Sequence, residues 1–285
     1  MPDLEALLFA TAILLILSVV ASKLSSRFSL PALALFLGIG MVAGAEGIGG
    51  VPFNDHELAQ SLGIVALIFI LFSGGLDTPF EDIRPIIGRG LLMSTVGVLI
   101  TAFVVAGAVL ILLDFTPQEA FLVGAIVAAT DAAAVFSILG SNKIAFKGNS
   151  IPLLELESGS NDPMAIFLTI AALELVQQPD TPIGDFLIVF VQQGVIAVVL
   201  GGFIGAVAAR TLNRLRLSAD GLYPVFTSAL VLFAFSLTAL LGGSGFLAVY
   251  IIGLAMANQN FVHKTSLINF HDGISWMMQI AMFLV

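Results

Sequence analysis

The residues best equipped for chemistry lie between Leu154 and Pro163, in the run Leu-Glu-Leu-Glu-Ser-Gly-Ser-Asn-Asp-Pro. Glu155, Glu157, Ser158, Ser160, Asn161 and Asp162 sit inside a hydrophobic stretch from about Ile151 to Val176, long enough to cross a bilayer as a helix. Burying carboxylates at that depth is expensive, so a function must justify them. Helical spacing sets Glu155, Ser158 and Asp162 on one face, at i, i+3 and i+7. Asp162 falls about eleven residues into the run, close to mid-membrane at roughly 1.5 Å per residue. Pro163 follows it directly, so the backbone at Asn161 and Asp162 is expected to leave ideal helix and a carbonyl one turn back to lose its partner. A carboxylate beside loosened backbone is a site for an ion. The alternative is a neutral, protonated aspartic acid that only ties helices together.

A second such place is the segment Phe121 to Leu139, centred on Ala129-Thr130-Asp131-Ala132-Ala133-Ala134. Threonine and aspartate favour local bonds to backbone over helix continuation, so Thr130 and Asp131 mark a predicted break. Asp131, again near the midplane, either joins the ion site or only caps the second half-helix. A broken helix beside a second deep carboxylate is the arrangement secondary transporters use.

The elements that must position these residues follow from composition. Of the 285 residues 59% are hydrophobic and 10% charged, and the mean hydropathy is +1.09. That defines an all-α polytopic membrane protein, because no soluble domain of this size could hide so much apolar surface. The net charge of −9 therefore says little about partners, and the absence of cysteine excludes disulfides and thiolate-bound metal. Ten apolar segments are predicted, at about 4–22, 30–45, 61–76, 91–113, 119–140, 151–177, 185–208, 221–241, 246–258 and 267–285. Every basic residue falls in an alternate connection: Lys23 and Arg27; Arg84 and Arg89; Lys143 and Lys147; Arg210, Arg214 and Arg216; Lys264. Glu46, Asp55, Glu57, Asp114, Asp180 and Asp185 occupy the others, which places the N-terminus outside. The first segment opens on Asp3 and Glu5 with no basic region, so it is a membrane helix and not a signal peptide. Gly40 with Gly44, and Gly201 with Gly205, are small-xxx-small pairs expected to serve close packing. Pro31 suits the first turn of the second helix. His56, His263 and His271 fall in or near loops without metal-like spacing. No phosphate loop or nucleophile triad is present, so neither an enzyme nor a cofactor is expected.

At its two polar segments the chain resembles the NhaP-type monovalent cation:proton antiporters, in particular their bacterial potassium/proton branch. The residues that carry the resemblance are 129–137, Ala-Thr-Asp-Ala-Ala-Ala-Val-Phe-Ser, and 157–163, Glu-Ser-Gly-Ser-Asn-Asp-Pro, with likeness extending to Phe270-His271-Asp272-Gly273. The resemblance implies an inverted-repeat fold with a broken helix. It implies that Asp162 binds cation and proton in turn with Asn161 in support, that Ser158 and the Thr130 backbone give oxygens to the monovalent cation, and that Asp131 belongs to the break. Glu157 is implied to be structural, paired with an arginine on a later helix. Ser73, in Leu71-Phe72-Ser73-Gly74-Gly75, stands where family members often carry an acid, which leaves the choice between K+ and Na+ open.

Family members continue beyond the position of Val285. The expectation is therefore a single transmembrane domain, C-terminally incomplete, with a first six-helix repeat over 1–177 and a linker helix plus part of a second repeat over 185–285. By itself such a fragment is expected not to transport. The expected function of the intact protein is electroneutral exchange of K+ or Na+ for H+ in the cell inner membrane, as a homodimer within the lipid bilayer and without nucleic acid. A monovalent cation channel and a sodium-coupled organic-solute symporter are the alternatives.

Overall fold

The structure is a computed structural model that describes residues 4–28, 30–51, 53, 55–78, 84–130, 148, 150–178 and 182–285. Apart from one isolated bridge between Gly44 and Val51, these residues form only helices and their connections. Ten helices appear among them: α1 (Leu4–Phe28), α2 (Ala32–Ala43), α3 (His56–Leu76), α4 (Ile87–Leu112), α5 (Pro117–Val127), α6 (Ser150–Gln177), α7 (Ile183–Arg214), α8 (Leu222–Leu240), α9 (Gly245–Ala257) and α10 (Lys264–Leu284). Each overlaps one of the ten apolar segments, the fifth only in its first half, as residues 131–140 lie outside the described ones. Five are long and apolar enough to cross a membrane by length and composition, while α2, α5 and α9 are shorter apolar helices. The chain is a multi-pass membrane protein.

Several helices run past the ends that hydropathy indicates, α1 and α7 by the most. Lys23 and Arg27 belong to the last turns of α1, and Arg210 and Arg214 to the end of α7. The long stems of Lys23, Arg210 and Arg214 let a helix continue past the apolar boundary while the charge reaches water. Near its start α4 contains a π turn over Met93–Gly97, where the hydroxyls of Ser94 and Thr95 donate back to the Leu91 carbonyl. Such back-bonding competes with the regular ladder, and π turns are rare elsewhere.

Two compact units can be distinguished. One holds α1, α2, α3 up to Ile70, and α10 from Asp272 onward. In it Gly40 packs on the end of α10, since an added Cβ would stand 2.7 Å from the Leu284 carbonyl, whereas Gly44 faces only its own helix. The other unit runs from Leu71 to Thr130 and from α6 to His271. Its core joins α4, α5 and α6 through Val98, Ala102, Ala125, Ala128, Met164, Ala165, Leu168 and Ala172. Small alanines dominate, and Gly124 brings α5 so close to α4 that a Cβ there would collide with the Ala102 carbonyl. Close approach of backbones is how helices associate where no water drives them together.

Candidate ion site

Helix α5 begins with a capping box. Thr116 and Glu119 satisfy each other's backbone N–H groups, and Pro117 occupies the first helical position. The helix ends at Val127, and Ala128, Ala129 and Thr130 have left it. The helix thus ends three residues before Thr130, the first residue of the predicted break, and Thr130 offers both its carbonyl and its hydroxyl to α6. Asp131 lies outside the described residues, as do Lys143, Lys147, Asp180 and the side chain of Glu155.

Across from Thr130 stands the middle of α6. The Ser158 hydroxyl donates to the Thr130 carbonyl at 3.0 Å. The Asn161 amide nitrogen reaches the Thr130 hydroxyl at 2.5 Å, the Thr130 carbonyl at 3.3 Å and a Glu157 carboxylate oxygen at 3.0 Å. The Thr130 hydroxyl donates in turn to the Glu157 carboxylate, 3.1 and 3.0 Å from its two oxygens. These partners are acceptors for the amide, so they fix its orientation: nitrogen toward Thr130 and Glu157, oxygen away. Asn161 is fully buried and its Oδ1 has no hydrogen-bond partner. Asp162 follows at once, half-buried.

The predicted residues Thr130, Ser158 and Asn161 are therefore brought together, and Glu157 with them. Pro163 behaves differently from expectation, since α6 runs unbroken through it from Ser150 to Gln177. Proline does remove the N–H that would bond the Gly159 carbonyl. The buried Met164, Ala165 and Leu168 hold the next turn in helical register against α4 and α5, and one missing bond does not overcome that packing. Ser73 is buried in the last turn of α3.

His271 corrects the loop placement read from sequence. Helix α10 starts at Lys264, earlier than hydropathy indicates because its first turns are polar, so His271 lies well inside it and is fully buried. Its Nε2 is 2.8 Å from the Thr227 hydroxyl of α8, and its ring meets Phe72 of α3 edge-on at 4.8 Å. The Thr227 hydroxyl also lies 3.2 and 3.0 Å from the carbonyls of Tyr223 and Pro224 in its own helix. Tyr250 of α9 was also missed. It is 4% exposed, and a Cβ on Gly159 would stand 3.1 Å from its hydroxyl. The available signal was its isolation, as the single polar side chain in an otherwise apolar helix.

Among the described residues no group of three or more His, Cys, Asp or Glu gathers as a metal centre. What α5 and α6 offer is oxygen, from carboxylate, hydroxyl, amide and open carbonyl, which suits a hard monovalent ion or a proton.

Comparison with known proteins points the same way. The family model described as sodium/hydrogen exchanger, transmembrane, matches residues 11–285. The chain is 36% identical over 285 residues to the K(+)/H(+) antiporter NhaP of Alkalimonas amylolytica, covering 100% of this chain and 50% of that protein. It is 37% identical over 281 residues to the K(+)/H(+) antiporter NhaP2 of Shewanella baltica, covering 96% of this chain and 47% of the relative. The chain thus spans about half the length of the curated relatives it matches. In structure it is similar to the sodium proton antiporter MjNhaP1 of Methanocaldococcus jannaschii, with a TM-score of 0.80 at 22% identity over 100% of this chain and 72% of that one.

Proposed function

Because this chain belongs to the transmembrane sodium/hydrogen exchanger family, we propose that the protein exchanges cytoplasmic K+ or Na+ for protons by alternating access. The observation that carries this reading is the joint of Thr130 with Glu157, Ser158 and Asn161 beside Asp162. A carboxylate that serves two ligands in turn enforces exchange, since a proton and a cation cannot occupy it together. Asp162 is that carboxylate. Ser158 and Thr130 supply further oxygens, Asn161 braces them, Asp131 belongs to the break, and Glu157 is the structural acid of the group. With an amide at 161 and a single acid at 162, one proton moves per cation and the exchange is electroneutral. The two relatives described above, both K(+)/H(+) antiporters by name, favour K+.

The placement of basic residues supports a cell inner-membrane protein with its N-terminus outside. Thiol labelling at Glu57 from outside, and at Arg214 only after the membrane is opened, checks that orientation. Assembly as a homodimer follows from the family resemblance, and cross-linking in native membranes tests it.

Asp162→Asn in the full chain tests the mechanism. In everted vesicles, proton movement driven by added K+ or Na+ is expected to disappear while membrane expression is kept. Retained cation-driven proton movement in that variant would reject Asp162 as the shared site. Cation flux without coupled protons in the unsubstituted protein would instead favour a channel.

A further inference from the structure

The side of α6 turned away from Thr130 carries a second set of polar atoms that the exchange site leaves unused. The Tyr250 hydroxyl is buried and forms no hydrogen bond of acceptable geometry, although Ser160 of α6 and Thr78, just beyond α3, flank it. Thr78 spends its own proton on the Gly74 carbonyl at 2.7 Å, which leaves its oxygen as an acceptor. Gly159 lets the ring approach, since any side chain there would stand 3.0–3.3 Å from the Tyr250 ring and hydroxyl. Pro163 withholds the donor that would close the helix at Gly159, so that carbonyl lacks its helical partner. Asp162 lies three residues after Gly159 and four after Ser158, and so neighbours both on the helix surface.

An orphaned buried hydroxyl costs about 1–3 kcal/mol, and a phenylalanine would fill the same space without that cost. The hydroxyl therefore has a partner in some working state of the protein. Tyrosine, threonine, serine and an open carbonyl offer four neutral oxygens and no acid. That set replaces hydration around a monovalent cation without holding it tightly.

We propose that Tyr250, Thr78, Ser160 and the Gly159 carbonyl form a second, neutral cation subsite on the α9 side of Asp162, in which Tyr250 is the specificity-determining ligand. The proposal rests on the antiporter reading and extends it. Cation reaching Asp162 from this side is dehydrated in two stages, first by neutral oxygens and then by the carboxylate.

The test is Tyr250→Phe in the full chain, which deletes one oxygen and nothing else. K+- and Na+-driven proton movement in everted vesicles should show the K+ half-saturation raised about fivefold or more and the K+/Na+ preference altered, with the maximal rate within about twofold. The thermal midpoint of purified protein without K+ should stay level or rise, and its increase on adding K+ should shrink. Half-saturation and ion preference equal to those of the active unsubstituted protein would overturn the subsite and leave the antiporter reading intact. If the unsubstituted protein shows no exchange, that reading fails, and the K+-dependent thermal shift decides the subsite separately: an equal shift in both proteins overturns it, a smaller shift in the variant upholds it. Should Tyr250→Phe fail to fold, Thr78→Val makes the same comparison.

Discussion

The joint between α5 and α6 and the seam where α9 runs against α3 and α7 solve one problem with opposite chemistry. Both hold helices together where lipid removes the hydrophobic drive. At the seam, Gly75 of α3 and Gly253 of α9 meet reciprocally: a Cβ on either would collide with the backbone of the other helix. Gly201 and Gly205 of α7 sit against Ala248, Ile252 and Ala255 of α9 in the same manner, so the small-xxx-small pair does serve packing. The joint holds instead by six hydrogen bonds among Thr130, Glu157, Ser158 and Asn161. A seam of backbone contacts has one good arrangement and resists change. Hydroxyls and amides can turn to new partners at small cost when an ion arrives. The rigid contact frames, and the polar contact is the one able to work.

That contrast can be broken at graded strength. Gly253→Val drives a branched side chain into the α3 backbone and is expected to cost on the order of 3 kcal/mol, read as a lowered thermal midpoint and reduced folded yield. If the folded fraction keeps its cation half-saturation, the seam is structural, as argued; a changed half-saturation at undiminished stability would dissolve the distinction. Asn161→Ala removes an amide that makes three of the joint's bonds. It should cost less stability, about 1–2 kcal/mol, yet lower exchange at least about tenfold. Loss of stability without loss of exchange would make the joint a second seam. The finest probe is the pair Gly201 and Gly202. A Cβ on Gly201 meets the Ala248 carbonyl at 2.8 Å, whereas Gly202 has nothing within 4 Å. Gly202→Ala should gain roughly 0.5 kcal/mol through helix propensity while Gly201→Ala loses stability, both measurable by thermal unfolding in detergent.

The number and order of helices were legible because an apolar span and its charged flanks are properties of the local sequence. Their ends were less so, since Lys23 and Arg214 remain helical while their exposed side chains carry charge outward. The π turn at Met93–Gly97 left no trace in hydropathy, which averages over a register shift of one residue. At the candidate site, the end of α5 close to Thr130 was readable from the local preferences of threonine and aspartate. The meeting of Glu157 with Thr130 was not, because it depends on how two helices twenty-seven positions apart in the chain face one another. Helical spacing set Glu155, Ser158 and Asp162 on one face; the bonds to Thr130 among the described residues come from Glu157, Ser158 and Asn161, which share only Ser158 with that set. His271 and Tyr250 stayed hidden for a related reason. A lone polar residue in an apolar helix shows that something must meet it, but not what.

The unbroken, acid-bearing α6 also bears on how the chain reaches the membrane. It is absent from the helices apolar enough to cross by composition, since Glu155, Glu157, Asp162 and Glu174 lie along it. A single charged residue at a helix centre costs about 2.5–3.5 kcal/mol for insertion through the translocon. As the chain emerges from the ribosome, α6 is among the segments poorly able to partition into lipid unaided. Its cheapest route lies alongside α4 and α5, whose alanine face and open Thr130 already await its polar stripe. The residues that equip this helix for ions thus make it a dependent passenger during synthesis, and the order of helices in the gene, with α6 after its hosts, becomes part of how the site is made.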